Sequence, residues 1–143
     1  MSSGAAQLPL LVRLAATDPR TGRFRVVEEA VQPGQALDHF DAFTDDLGGY
    51  LEVCRRDDDY PAITVSTLHG YCAVHWFSGR QEVALLDGDG SLDGSASVDL
   101  PIFEERAAFT GEHVVSRDRA RVVLDEFLVQ QPSARPTVGW TVL

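Results

Sequence analysis

The sequence predicts an α+β fold, a mainly antiparallel sheet with two principal helices packed on it. Three observations carry this expectation. YLEVCR, AITVST, YCAVHWF and EVALLD, all rich in β-branched and aromatic residues, follow one another between Tyr50 and Asp87. The segments between them, RDDDYP, LHG and SGRQ, are too short for crossover helices, so neighbouring runs pair antiparallel. Two other stretches repeat apolar residues at three- and four-residue steps, which is the helical period.

In chain order, MSSGAAQ has nothing to bury and reads as a loose tail over residues 1–7. A single domain then spans 8–143. LPLLVRL (Leu8 to Leu14) and RFRVVEE (Arg23 to Glu29) read as strands joined by the turn AATDPRTG, an opening hairpin. VQPG breaks the chain. From Gln35 to Leu47 a helix is expected, with Leu37, Phe40, Phe43, Thr44 and Leu47 on one face and Gly48 and Gly49 ending it. Asp38, Asp41, Asp45 and Asp46 lie elsewhere on that helix. The carboxylates near its C-terminal end oppose the helix dipole, which is easier to understand if a cation from outside meets them; a solvated face is the plainer reading.

Within YCAVHWF, Cys72, Val74 and Trp76 point to one side, and Tyr71, Ala73, His75 and Phe77 to the other. Both sets are largely apolar. That suits a strand covered on each side, or one with a face open to a partner. IFEERAAFTGEHVV reads as a short irregular element. Ser116 caps a last helix with Asp118 in its first turn. Its buried stripe is Ala120, Val123, Leu124, Phe127 and Leu128, while Arg117, Arg119, Arg121, Asp125 and Glu126 stay mostly outside. Pro132 stops the helix, and ARPTVGWTVL supplies a final strand.

Composition narrows the function. The 143 residues carry 22 acids against 12 bases, all arginine, for a formal net charge of -10. Such a surface repels nucleic acid and anionic membrane and attracts a basic protein. No secretory signal or membrane-spanning run is read, so a soluble cytoplasmic protein is expected.

LLDGDGSLDGSASVDLP comes close to a calcium loop, with Asp89, Ser91, Asp93 and Gly94 in the first, third, fifth and sixth places. Leu100 stands where the bidentate glutamate belongs, so a flexible acidic loop is the reading and no metal is expected. His69, Cys72 and His75 do not read as zinc ligands, because Cys72 and His75 face opposite ways on a strand and no CxxC accompanies them. There is no GxSxG, GxGxxG, phosphate loop, HExxH or deaminase zinc motif. No enzyme and no cofactor are expected.

HVVSRDRARVVLDEFLVQQPSARPTVGW resembles the closing segment of the first-numbered immunity-protein family of bacterial polymorphic toxin systems. That family tends to finish with a capped helix, then Arg-Pro, spacer residues and a tryptophan, matched here by Arg135, Pro136 and Trp140. YPAITVSTLHGYCAVHWF is similar to its Pro-led strand, glycine turn and aromatic strand. The likeness runs from Gln35 to the C-terminus and leaves out the opening hairpin.

The resemblance implies an immunity protein that neutralises a cognate secreted toxin, usually a nucleic-acid deaminase and sometimes a nuclease, by blocking its active site. An acidic secretion chaperone or other protein-binding module is the alternative. The expected partner contacts are the acids of two loops, Asp57, Asp58 and Asp59 with Asp87, Asp89 and Asp93. His75 and Trp76 are expected as apolar neighbours. Arg135, Pro136 and Trp140 are expected to lock the last strand to the core. The free protein is expected to be a monomer.

Overall fold

The computed structural model describes residues 11–143. The tail expected over 1–7 and the first residues of the expected opening strand lie outside these. The described chain is α+β. A mainly antiparallel sheet runs in the order β10-β6-β5-β4-β3-β1-β2. Its strands are β1 (Val12–Thr17), β2 (Phe24–Val31), β3 (Gly49–Arg55), β4 (Ala62–Leu68), β5 (Tyr71–Gly79), β6 (Glu82–Leu86) and β10 (Trp140–Val142), with the short β9 (Val115–Ser116) paired to β5. β7 (Ser97–Ile102) and β8 (Glu105–Thr110) form a separate two-stranded hairpin. The helices are α1 (Pro33–Asp41) and α2 (Arg117–Gln130).

Strand alternation decides the layers. Leu51, Val53, Ile63, Val65, Val74 and Trp76 point to one side, where they form the main core with Phe40 and Phe43 and with Leu124, Phe127 and Leu128. The stripe expected on α2 is all buried. The Val, Leu and Phe side chains of this stripe are each worth roughly 2 kcal/mol of transfer free energy, so packing rather than helix propensity holds α2 in place. Ser116 caps it by accepting the Arg119 N–H at 3.2 Å.

α1 is shorter than its periodicity predicts. It begins at Pro33, whose missing N–H costs nothing at the first helical position, and the Gln35 side chain accepts the Gln32 N–H at 2.8 Å. It ends at Asp41. Phe43 then turns into the core against Gly49, where a side chain on residue 49 would collide with the ring. Thr44 and Leu47 are exposed, so the last part of the expected apolar face is not one. Gly48 still closes the segment, in left-handed conformation at φ 64°, as its N–H reaches the Thr44 carbonyl.

The cations that meet Asp41, at the end of α1, and Asp45, just after it, come from α2. Arg121 Nε lies 2.9 Å from Asp41 Oδ1, and Arg117 Nη1 lies 3.3 Å from Asp45. Arg117 also donates to the Phe40 carbonyl at 2.9 Å and stands 5.0 Å over the Phe40 ring. It thereby adds a second donor to a helix-end carbonyl that also accepts the Phe43 N–H at 3.1 Å.

The segment read as irregular is the β7–β8 hairpin with a 3-10 turn after it, Gly111–His113. It packs on the far side of the sheet, burying Leu100 against Leu68 and Ala73 with Tyr71, Val98 and Phe109 around them. β5 is thus covered by helices on one face and by this hairpin on part of the other.

Candidate functional site

The hairpin covers only the Leu68 end of the far face. The rest of that face is open, bounded by β2 on one side and by the hairpin tip on the other. A cleft of about 560 Å³ lies there. Glu52, Cys54, Ala62 and Thr64 form its floor, and Phe24, Tyr60, Phe77 and Phe103 its walls. Glu28, Asp59 and Arg80 stand at its lips.

Each group is placed by strand geometry. Glu52 lies between Leu51 and Val53, so it points away from the helices. Its carboxylate accepts the Tyr50 hydroxyl at 2.8 Å. Burial raises the Glu52 carboxyl above its ordinary value; the Tyr50 bond works against this and the charge of Glu28 adds to it. Burial and the Glu52 charge also push the Tyr50 hydroxyl up, so it stays a donor. Thr64 is 2% exposed and its Oγ1 has no hydrogen-bond partner. It lies beside the Tyr50 hydroxyl without the geometry of a hydrogen bond.

At one lip Arg13 spans Glu28 (3.5 Å) and Asp59 (2.7 Å). Cys54, pushed up to about 11 by burial against the pull of Arg13, stays a thiol and is a poor nucleophile. Phe103 sits at the hairpin tip at φ 56°, a costly conformation for an aromatic residue. Its ring lies 5.1 Å from Phe24 and 5.0 Å from Tyr50. The cleft therefore offers a desolvated carboxylate between aromatic walls, an arrangement suited to recognition of a cation.

The sequence-predicted contact residues do not converge. Asp57, Asp58 and Asp59 lie in the β3–β4 turn, at the Ala62 end of β4. Asp89 is joined to Ser116, which pairs with Tyr71, and Tyr71 pairs with Leu68 at the other end of β4. The two acidic loops thus sit at opposite ends of the sheet. Asp59 alone among these acids borders the cleft.

The second loop is occupied with its own chain. Asp87 accepts the Thr141 hydroxyl at 2.6 Å, Asp89 the Ser116 N–H at 2.9 Å and Asp93 the Ser95 hydroxyl at 2.6 Å. Partial burial works to raise the Asp89 carboxyl, but bonds from Ser116 and Ser91 outweigh it and bring it down to about 2. Asp89 and Asp93 tie down turn N–H groups, as aspartates in such loops do.

Trp76 is corrected from a contact residue to a core residue. It is 2% exposed and packs on Phe127 and Trp140 at 5.4 and 5.8 Å. His75 is half-buried on the opposite face, between Phe77 and Phe109, and is screened by the hairpin rather than presented to a partner. Trp140 pairs with Leu86 and packs on Trp76, and Pro136 lines a small hollow together with these two tryptophans and Phe127; Arg135 donates to the Pro136 carbonyl at 3.3 Å. The final strand is only Trp140–Val142, with the residues before it irregular.

Sequence reasoning passed over Glu28, Glu52, Phe24 and Phe103. One signal was available for Glu52, a carboxylate in the middle of the run YLEVCR. The fold and the cleft together define an α+β protein with one sheet face sealed by helices and the other partly open. No family model and no curated protein matches the chain. Among the described residues no helix is long and apolar enough to cross a membrane.

Proposed function

We propose that this protein is an immunity protein that binds a cognate secreted toxin, a nucleic-acid deaminase or a nuclease, and blocks its active site. The observation that carries the reading is the open cleft, where Glu28, Glu52 and Asp59 stand among four aromatic residues on a chain of net charge -10. An enzyme acting on nucleic acid displays arginines and lysines that hold phosphate. Glu28 and Asp59 are shared with Arg13, so Glu52 is the carboxylate left to compete for those cations from a concave, partly desolvated surface, and the net charge speeds the encounter. The contact surface in this reading is the cleft and the adjoining β3–β4 turn, with Asp57 and Asp58 beside Asp59. The loop carrying Asp87, Asp89 and Asp93 serves the fold instead. The protein acts by occupancy and consumes nothing.

The test is a titration of the toxin domain encoded beside this protein. Its catalytic rate falls to background at one equivalent of purified protein. An unchanged rate at equimolar ratio rejects the proposal.

A further inference from the structure

Two groups in the cleft are incompletely served by the chain itself. The Glu52 carboxylate is partly desolvated and held by the Tyr50 hydroxyl at 2.8 Å, with no basic side chain paired to it among the described residues. Thr64 Oγ1, buried on the neighbouring strand, has no partner. Glu52 and Thr64 are register partners across β3 and β4, so one ligand can reach both. A half-buried carboxylate without a counter-cation and a buried hydroxyl without a bond are each costly, and both costs are relieved by a cation with several N–H donors.

The walls decide between the two basic side chains. Phe77 flanks the floor from β5, paired with Ala62, and Phe103 flanks it from the other direction, its ring against Tyr50 and Phe24; Tyr60 completes the lining. A planar, weakly hydrated guanidinium stacks on aromatic faces and meets a carboxylate with two parallel bonds, whereas an ammonium is a compact, strongly hydrated charge. Arg13 does not fill the slot, because it is bound at the lip to Glu28, Asp59 and the Arg55 carbonyl. Arg80 is exposed on the other lip and makes no ion pair with Glu52.

We infer that the cleft is a socket for one arginine side chain of the partner protein, its guanidinium paired with Glu52, donating to Thr64 Oγ1 and stacked between Phe77 and Phe103. The inference rests on the reading of the protein as an inhibitor of a basic partner, and names the group that this partner inserts.

The probe is the peptide acetyl-Gly-Arg-Gly-amide, titrated into the full chain and followed by amide chemical shifts. Lysine and citrulline peptides serve as controls. The arginine peptide is expected to give saturable shifts at Glu52, Thr64 and Phe103. The citrulline peptide, which keeps the shape and loses the charge, is expected to bind about tenfold or more weakly, which corresponds to about 1.4 kcal/mol. Glu52→Gln is expected to lose a similar factor, and Thr64→Val a smaller one, with amide dispersion elsewhere unchanged as the check on folding. Shifts that never saturate, equal binding of arginine and citrulline, or an unaffected Glu52→Gln each overturn the socket. Toxin inhibition separates the two ideas. Inhibition that survives Glu52→Gln in full sinks the socket and leaves the proposed function standing, whereas failure of the wild type to inhibit sinks the function.

Discussion

Acidification is expected to weaken this fold through His75. The imidazole lies between the rings of Phe77 and Phe109, 6.1 and 5.7 Å away, and its Nδ1 is buried without a hydrogen-bond partner. Burial first, and the neighbouring His113 second, bring its pKa down to about 4. In the unfolded chain it lies at about 6.5. The folded state therefore refuses a proton that the unfolded state accepts. Stability is full above about pH 6.5, falls as the pH drops toward about 4, and levels off below that.

The gap between about 6.5 and about 4, at about 1.36 kcal/mol for each tenfold change in proton affinity, gives a loss of about 3 kcal/mol, against a total of about 5–15 kcal/mol for an ordinary domain. Other groups titrate with different signs or windows. Asp89, held down to about 2, contributes stability that is lost only as the pH falls from its ordinary value through about 2, below the His75 window. Glu52 is raised, so it resists folding in its charged form and gives stability back as it is protonated.

The assay is urea unfolding at pH 7.5, 6 and 5 and at pH 4, for the wild type and for His75→Phe. Phenylalanine keeps an aromatic ring between Phe77 and Phe109 and removes the titration. With a urea slope of about 2 kcal/mol per molar, the wild-type midpoint falls about 1.5 M further than that of the variant between pH 7.5 and pH 4. Parallel pH profiles refute the assignment, because the acid sensitivity then belongs to other groups.

Further outcomes follow from the same contacts. Arg117→Ala removes the bond to the Phe40 carbonyl and the stacking on its ring, and lowers unfolding free energy by about 2 kcal/mol in urea. Arg121→Ala, losing a half-exposed pair with Asp41, costs far less in the same measurement. Glu52→Gln raises the melting temperature while weakening toxin inhibition, since it removes a desolvated charge that the fold tolerates and the partner uses. Cys72, fully buried in the main core with its thiol pushed up to about 11 by burial, reacts with a disulfide reagent at neutral pH only at the rate of unfolding or slower; fast labelling of Cys72 in the native protein contradicts its placement.

Much of the fold was legible because it rests on local signals. The alternation in AITVST and YCAVHWF sets the faces of β4 and β5, and the stripe from Ala120 to Leu128 sets the buried side of α2. The β7–β8 hairpin was not legible, because its turn residues, Phe103 and Glu104, are neither glycine nor asparagine, and Phe103 takes a positive φ that its type disfavours. The length of α1 misled for a different reason. Phe43 keeps the helical spacing but is buried from a turn, where Gly49 leaves room for its ring.

The cleft escaped because it is non-local. It joins β2, β3, β4, the end of β5 and the tip of a hairpin, and no short segment carries that juxtaposition. The loop acids were easy to see, yet Asp87, Asp89 and Asp93 bond within the fold, because turn N–H groups need acceptors whatever a partner requires.

Hydrogen exchange of this protein, alone and saturated with the toxin domain, tests the central claim most directly. Occupation of the cleft predicts new protection in β3, at the start of β4, in the Asp57–Asp59 turn and at the Phe103 tip. Protection confined to the loop bearing Asp87, Asp89 and Asp93 or to the outer faces of the helices, with the cleft unchanged, contradicts it.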